Sequence, residues 1–356
     1  MNKPPFPLLS VIVPCYNEQD VISVTHQRLM ETLGDNQEFT LEIIYVNDGS
    51  RDQTETLLFD LEGGDNRVKV VSLSRNFGHQ PAVSAGLAYA TGDIIAIIDA
   101  DLQDPPEVIL QMINKWREGF DVVYGIRTHR KEGLLKRLSY ASFYRLYRSL
   151  ASVDVQLNSG DFALLDRRVA DVLNSLPEKN RFIRGLRAWS GFRQTGLAYE
   201  RAARAAGESK YSFKKLIKLA FDGIFNFSTA PLTIIFITGI ITAFTAVVAA
   251  LVYLLARLCD FTIFGNSPGD VPGFSTLIIA ILFFSGVQLI SVGILGEYLG
   301  RLYQEAKMRP SFIVKEVRGL NSIVSTQRDS TGYQLSHLPN VAAADERSDG
   351  LSKIDH

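Results

Sequence analysis

The chain has 356 residues, 37 Lys and Arg against 38 Asp and Glu, a formal net charge of −1, five His and two Cys. Its length allows one large domain with a further part, and its near-neutral charge suggests no bulk attraction to anything; no nucleic-acid partner is expected. Cys15 and Cys259 lie too far apart to suggest a disulfide framework, and the scattered His residues give no zinc spacing.

Counting by region changes the picture. Residues 1–126 carry 8 Lys and Arg against 19 Asp and Glu, whereas residues 127–218 carry 20 against 8. An acidic part joined to a basic part is a dipolar arrangement that a function has to explain.

In chain order, "MNKPPFPLLS" has no long apolar core after its basic start, which argues against a secretory signal and places the first domain in the cytosol. "LLSVIVPCYNE" reads as a short β-branched strand broken at Pro14. "TLEIIYVNDGSRDQT" repeats the design and ends at Asn47-Asp48-Gly49-Ser50. Between them "DVISVTHQRLMETL" has helical periodicity, and "RVKVVSLSRN" and "GDIIAIIDAD" follow as further strands. Strands alternating with helices predict an α/β sheet covered on both faces, with ligands at the carboxyl ends of its strands. Asn17-Glu18, Asp48 and Asp99-Ala100-Asp101 all fall there.

The stretch "GDIIAIIDADLQDPPE" runs from an apolar strand into Asp99, Asp101, Asp104 and Glu107. Carboxylates crowded at a strand end repel one another unless a positive charge sits among them. An Asp-x-Asp of this kind suits a hard, oxygen-bound Mg²⁺ or Mn²⁺ that keeps positions open for phosphate oxygens. Neither Gly-x-Gly-x-x-Gly after the first strand nor a phosphate-binding Gly-x-x-x-x-Gly-Lys-Ser/Thr occurs, so a dinucleotide fold and a P-loop are not supported.

Further on, "YSFKKLIKLAFDGIFNF" sets Phe213, Ile217, Phe221 and Ile224 on one helical face with Lys214, Lys215 and Lys218 off it, the pattern of a helix lying in a membrane interface. Residues 223–256 and 271–296 are free of charge, each long enough to span a bilayer, and predict a two-helix transmembrane hairpin. Lys214, Lys215 and Lys218 precede it and Arg301, Lys307 and Arg309 follow it, so both ends are expected on the cytoplasmic side. The last residues, from about 319, lack periodicity and read as a mobile tail.

"VIVPCYNE", "VNDGS", "LSRNFGHQPAVSAGL", "IIDADLQDPPE", "YGIR", "GDFALLDRRV", "FIRGLRAWSGF" and "GESKYSFKKLIKLAFDGIFNFSTAPL" occur in one order. In this the chain resembles the family 2 glycosyltransferases that charge a polyprenyl phosphate with a sugar, most nearly the bacterial bactoprenol glucosyltransferases of O-antigen modification, relatives of dolichol-phosphate mannose synthase. The likeness covers about residues 8–318.

The resemblance implies a GT-A nucleotide-sugar domain with a mixed, mostly parallel sheet and a single inverting displacement at the anomeric carbon. It implies that Pro14, Tyr16, Asn17 and Glu18 line the nucleotide end and that Asp48 holds uracil or ribose. Asp99, Asp101 and Gln103 would bind the metal, and Arg127, Arg130, Lys136, Arg137 and Lys210 the acceptor phosphate. Asp161 is a candidate for contact with a sugar hydroxyl or the acceptor, or else serves as a cap or pairs with Arg167 or Arg168. Asn158-Ser159 and Ala163 depart from the family's usual Asp-Ala-Gly-Asp-Phe-Arg-Leu around it.

The expected organisation is a cytosolic catalytic domain over 1–205, an interface helix over 206–228, two spans at about 230–256 and 273–297, a juxtamembrane segment over 299–318 and a tail over 319–356. The expected activity is transfer of glucose from UDP-glucose to undecaprenyl or another polyprenyl phosphate by a multi-pass protein of the bacterial inner membrane, with a homo-oligomer also expected. Mannose, hexosamine or aminoarabinose donors remain alternatives. A lipid flippase or membrane anchor is the less favoured alternative, and the absence of ionisable residues within the two apolar runs weighs against transport.

Overall fold

The computed structural model describes residues 3–127, 159–179, 181–200, 230–258 and 274–319. The interface helix expected over 206–228, the loop between the two expected spans and the tail beyond residue 319 lie outside the described residues.

The predicted strands form where the β-branched runs stand: β1 (Leu8–Cys15), β2 (Thr40–Asn47), β3 (Val68–Leu73) and β4 (Ile94–Ile97). Helices α1 (Ile22–Leu33), α2 (Thr54–Gly64), α3 (His79–Tyr89) and α4 (Glu107–Arg117) alternate with them. The chain continues through β5 (Val122–Arg127), β6 (Ser159–Asp166), α5 (Arg167–Ser175), α6 (Ile183–Trp189) and β7 (Gln194–Tyr199). Two long helices, α7 (Ala230–Leu258) and α8 (Phe274–Ala306), and a last strand β8 (Val314–Arg318) complete it.

All eight strands make one sheet in the order β7-β5-β6-β4-β1-β2-β3-β8. β1 to β4 are parallel neighbours and β5 runs parallel to β7, while β6 lies antiparallel between β4 and β5 and β8 is antiparallel to β3. The sheet is therefore mixed. Fully buried apolar side chains cover both faces, with Leu9, Val11, Tyr45 and Trp116 on one and Ile12, Ile44, Val83 and Leu165 on the other. A sheet buried on both sides reads as continuous apolar runs, which is why the central strands were legible.

At the end of the sheet where β1 to β4 begin, buried Glu42 accepts from Ser10, Lys69 and the Thr91 hydroxyl and N–H. That network ties four strands together at the end opposite the Asp-x-Asp. α3 lies close on β1, where a Cβ at Gly86 would overlap the Ile12 side chain. The close approach fixes α3, and with it the residues at its first turn.

Past the apolar part of α8 the helix does not stop at Gly296. Glu297 and Arg301 pair one turn apart at 2.8 Å and carry it on to Ala306. Met308, with φ 51°, and Pro310 then turn the chain out of the helix and into β8. Among the described residues one stretch, Phe283–Ala306, with mean hydropathy 1.3, is long and apolar enough to cross a membrane, and Leu232–Thr242 is a shorter apolar stretch.

Replacing Gly86 by Ala adds helix propensity of about 1 kcal/mol. The overlap with Ile12, itself fully buried, costs about 1–3 kcal/mol. Gly86→Ala is therefore expected to lower the thermal midpoint, and to cost less when added to Ile12→Ala, which removes the overlapping Cγ atoms, than when made alone; a midpoint above wild type would mean that α3 shifts freely.

Candidate active site

The parallel register sets Cys15 against Asn47 and Ile12 against Ile97, so the loops after β1, β2 and β4 open at one edge of the sheet. The first two are laced together. Asn17, in the left-handed region at φ 54°, donates its N–H to Ser50 Oγ at 3.0 Å and accepts from Arg51 N–H at 2.9 Å. Glu18 N–H donates to Thr54 Oγ1 at 2.9 Å. Pro14 is half-buried in β1, and Tyr16 is 36% exposed beside the laced loops.

Asp48 is 3% exposed and accepts from Phe77 N–H at 2.7 Å and Gly78 N–H at 2.9 Å. Burial raises its pKa above the ordinary carboxylate value against the pull of those two donors. It thus clamps the loop that leads into α3. Gly49, at φ 64°, is needed beside it, because a side chain there would strike the Arg75 backbone.

After β4 the loop is held from beneath by Thr25 Oγ1, which donates to Ala100 O at 2.6 Å. Leu102 adopts φ 54°, a conformation that costs an ordinary side chain about 1–2 kcal/mol, and Gln103 N–H donates to Asp101 Oδ1 at 3.1 Å. The strained turn points to a demand on the residues on either side of it. Gln103 Oε1 is buried with no hydrogen-bond partner. Asp104, 0% exposed, accepts from Tyr199 Oη and from Arg127 Nη2 at 3.4 Å. Asp99 is about one-third exposed, and its pKa is raised, first by burial and then by the charges of Asp161, Asp104 and Asp101 against that of His79.

Asp161 reaches this edge because β6 runs antiparallel to β4. Ala163 pairs with Ile97, and continuing that register by two residues sets Asp161 alongside Asp99. Its carboxylate accepts from Arg184 Nε at 2.8 Å and Nη2 at 3.0 Å, from Gln80 Nε2 at 3.2 Å, and lies 3.2 Å from His79 Nε2. Burial alone would raise its pKa, but Arg184 and His79 hold it well below the ordinary value. His79 in turn is raised to about 9, since the hydrogen bond to Asp161 and the charges of Asp99 and Asp161 outweigh its burial. Gln80 Oε1 accepts Ile183 N–H at 2.9 Å and so fastens α3 to α6.

Pairing of Asp161 with Arg167 or Arg168 is corrected by this geometry. Arg167 donates to the Ala90 and Gly92 carbonyls, and Arg168 pairs with Asp166 and Asp121. The partners sequence reasoning missed are His79, Gln80 and Arg184. The signal for two of them was positional: His79 and Gln80 open the helix that follows the parallel strand β3, at the edge where ligands sit.

Of the residues expected to hold an acceptor phosphate, only Arg127 is described, with Nε donating to Tyr199 Oη at 3.3 Å and Nη2 bound to Asp104. Arg130, Lys136, Arg137 and Lys210 lie outside the described residues. Among the described residues no three His, Cys, Asp or Glu side chains converge as a closed metal cage. Asp99, Asp101 and Gln103 offer oxygen donors only, the chemistry a hard cation takes, and Gln103 Oε1 is the buried one still to be satisfied.

The family model described as glycosyl transferase family 2 matches residues 10–173. An uncharacterized glycosyltransferase, YkcC, of Bacillus subtilis strain 168 is 46% identical over 314 residues, 88% of this chain and 95% of its own. The chain therefore belongs to glycosyl transferase family 2, is a glycosyltransferase, and has an α/β domain of GT-A type. More particularly, it is 40% identical to the prophage bactoprenol glucosyl transferase homolog of Escherichia coli K12, over 87% of this chain and 99% of that protein. A mannosyltransferase of Pyrobaculum calidifontis solved with GDP-Man and Mn²⁺ is 16% identical with TM-score 0.40, over 85% of this chain and 86% of that one, a likeness too slight to argue from.

Breaking a buried ion pair from one side leaves an uncompensated charge, here softened by His79, at a cost of about 3 kcal/mol. Arg184→Met is expected to destabilise the protein by that amount at neutral pH, and Asp161→Asn in the same chain to return much of it, as read by denaturant unfolding. Because the folded pKa of Asp161 is depressed, the cost should be full above the ordinary carboxylate value of 3.8 and shrink as pH falls below it. A cost independent of both pH and Asp161 would assign Arg184 another partner.

Proposed function

We propose that the enzyme transfers glucose from UDP-glucose to a polyprenyl phosphate at the cytoplasmic face of a bacterial membrane, with inversion at the anomeric carbon. The observation that carries this reading is the 40% identity, over 87% of this chain and 99% of the other, to a protein named as a bactoprenol glucosyl transferase homolog. The exposed apolar surface of α7 and α8, including Phe236, Phe244, Leu289 and Ile290, supports two membrane spans, since surface of this extent needs a covering. With about 1.5 Å of rise per residue, the 23 uncharged residues at the start of α8 match a hydrocarbon core of about 30 Å.

In the proposed site the loops after β1 and β2 receive the nucleotide, with Tyr16, Asn17 and Glu18 at its rim and Asp48 fixing the neighbouring loop. Asp99, Asp101 and Gln103 would hold Mg²⁺ or Mn²⁺. A divalent cation there would stabilise the charge of the leaving diphosphate without needing a proton. The acceptor is a phosphate monoester whose second pKa is about 6, so it arrives largely as a dianion and needs no strong base. Asp161, kept ionised by Arg184 and His79, accordingly serves to hold those cations beside the diphosphate. The basic stretch with Arg130, Lys136, Arg137 and Lys210 supplies the acceptor end, with Arg127 linking it to the Asp-x-Asp loop.

The test is transfer of radiolabel from UDP-glucose into a lipid extract by the full-length enzyme in vesicles containing polyprenyl phosphate, run against a panel of other UDP- and GDP-sugars. Wild type should label the lipid, and Asp101→Ala should lower the rate by at least about 10³-fold while folding and inserting normally. A preference for GDP-mannose or a UDP-hexosamine would reassign the sugar. No labelled lipid from any donor would overturn the reading.

A further inference from the structure

The chain that leaves α8 returns to the catalytic domain at two places. At the first, Glu305 in the last turn of α8 accepts Lys179 N–H with both carboxylate oxygens, at 2.9 and 3.1 Å. At the second, Ile313 O accepts Ser74 N–H at 2.9 Å, where β8 begins its pairing with β3 at Val314 and Leu73. Phe312 between them packs against the buried cluster that contains Val83 of α3 and Ile183 and Leu186 of α6.

Both attachments stand five residues upstream of a partner of Asp161. Ser74 leads to His79 and Gln80, and Lys179 leads to Arg184. Along the second lead, Arg181, 8% exposed, donates to Leu176 O at 2.7 Å and Glu178 O at 3.3 Å. A displacement at Lys179 therefore passes along the chain to Ile183 N–H, which Gln80 holds, and to Arg184.

We propose that Glu305 is a positioning residue for sugar transfer: its grip on Lys179 N–H, together with the Ile313 to Ser74 bond, registers the His79, Gln80 and Arg184 cradle of Asp161 to the end of the long apolar helix. The inference rests on the reading of the enzyme as a polyprenyl-phosphate glycosyltransferase. Its consequence is that the reacting edge stands at a height above the membrane set by a continuous helix from Phe274 to Ala306 rather than by a loose linker.

The experiment uses the full-length enzyme in phosphatidylethanolamine and phosphatidylglycerol vesicles with UDP-glucose and polyprenyl phosphate. Glu305→Ala should lower kcat about tenfold, the scale of one lost hydrogen bond to a charged group, with both Michaelis constants within about twofold of wild type. The stoichiometry of nucleotide binding should match wild type, and the thermal midpoint should fall by no more than the few degrees that one lost hydrogen bond costs. Glu305→Gln keeps an acceptor oxygen and should recover most of the rate, and Glu305→Asp, one methylene shorter, should fall between. Since both act on one cradle, Glu305→Ala should cost less than about twofold further in an Arg184→Lys background.

Wild-type kcat in Glu305→Ala would overturn the proposal, as would a loss that Gln does not recover or that multiplies fully with Arg184→Lys. If wild type binds nucleotide sugar but labels no lipid, the functional reading fails and the proposal with it. If wild type transfers and the Glu305 variants behave alike, the positioning role alone is wrong.

Discussion

The structure turns on how negative charge is shared out where β4 and β6 meet. Asp99, Asp101, Asp104 and Asp161 are brought to one edge of the sheet, where like charges repel one another unless something intervenes. The chain neutralises two of them itself. Asp104 is fully buried against Arg127 and Tyr199, and Asp161 is cradled by Arg184, His79 and Gln80. Asp99 keeps a raised pKa in spite of His79 at 3.8 Å, and Gln103 Oε1 is buried without a partner nearby in the same loop. In the proposed site that residue of unmet charge is what a divalent cation answers.

The topology makes this division possible. Parallel strands deliver the Asp-x-Asp and the loops around Asn17 and Asp48 to one edge, whereas an antiparallel strand inserted between β4 and β5 brings Asp161 to the same edge from the other direction. The cations come from different elements again: Arg127 from β5, His79 from α3 and Arg184 from α6. No short segment contains both members of any of these pairs, so the site exists only in the folded sheet. The returning chain after α8 closes the arrangement, because β8 extends the sheet beside β3 and Glu305 meets the segment before α6.

This dispersal explains what the sequence did and did not reveal. The four parallel strands and the Asp-x-Asp were legible because buried strands leave continuous β-branched runs and acids are conspicuous at their ends. The two long apolar helices were legible for the same reason of composition. The partners of Asp161 were not, since single polar residues at the first turn of a helix carry no period and Gln80 and Asp161 are 81 residues apart. β8 escaped notice because Val314–Arg318 is a short edge strand with Lys315, Glu316 and Arg318 among its five residues, leaving only Val314 and Val317 to mark it. The continuation of α8 past Gly296 was hidden by the change from apolar to charged residues, which ends a membrane pattern but not a helix.

The central claim is that the four carboxylates are divided between protein cations and one metal ion. It is tested most directly by electron paramagnetic resonance titration of Mn²⁺ into the full-length enzyme with UDP present. The account predicts one bound ion per chain, lost in Asp101→Asn and retained in Asp161→Asn, whose charge is answered by Arg184 and His79. Retention of the ion in Asp101→Asn, or its loss in Asp161→Asn, would contradict the division and place the metal against β6 instead.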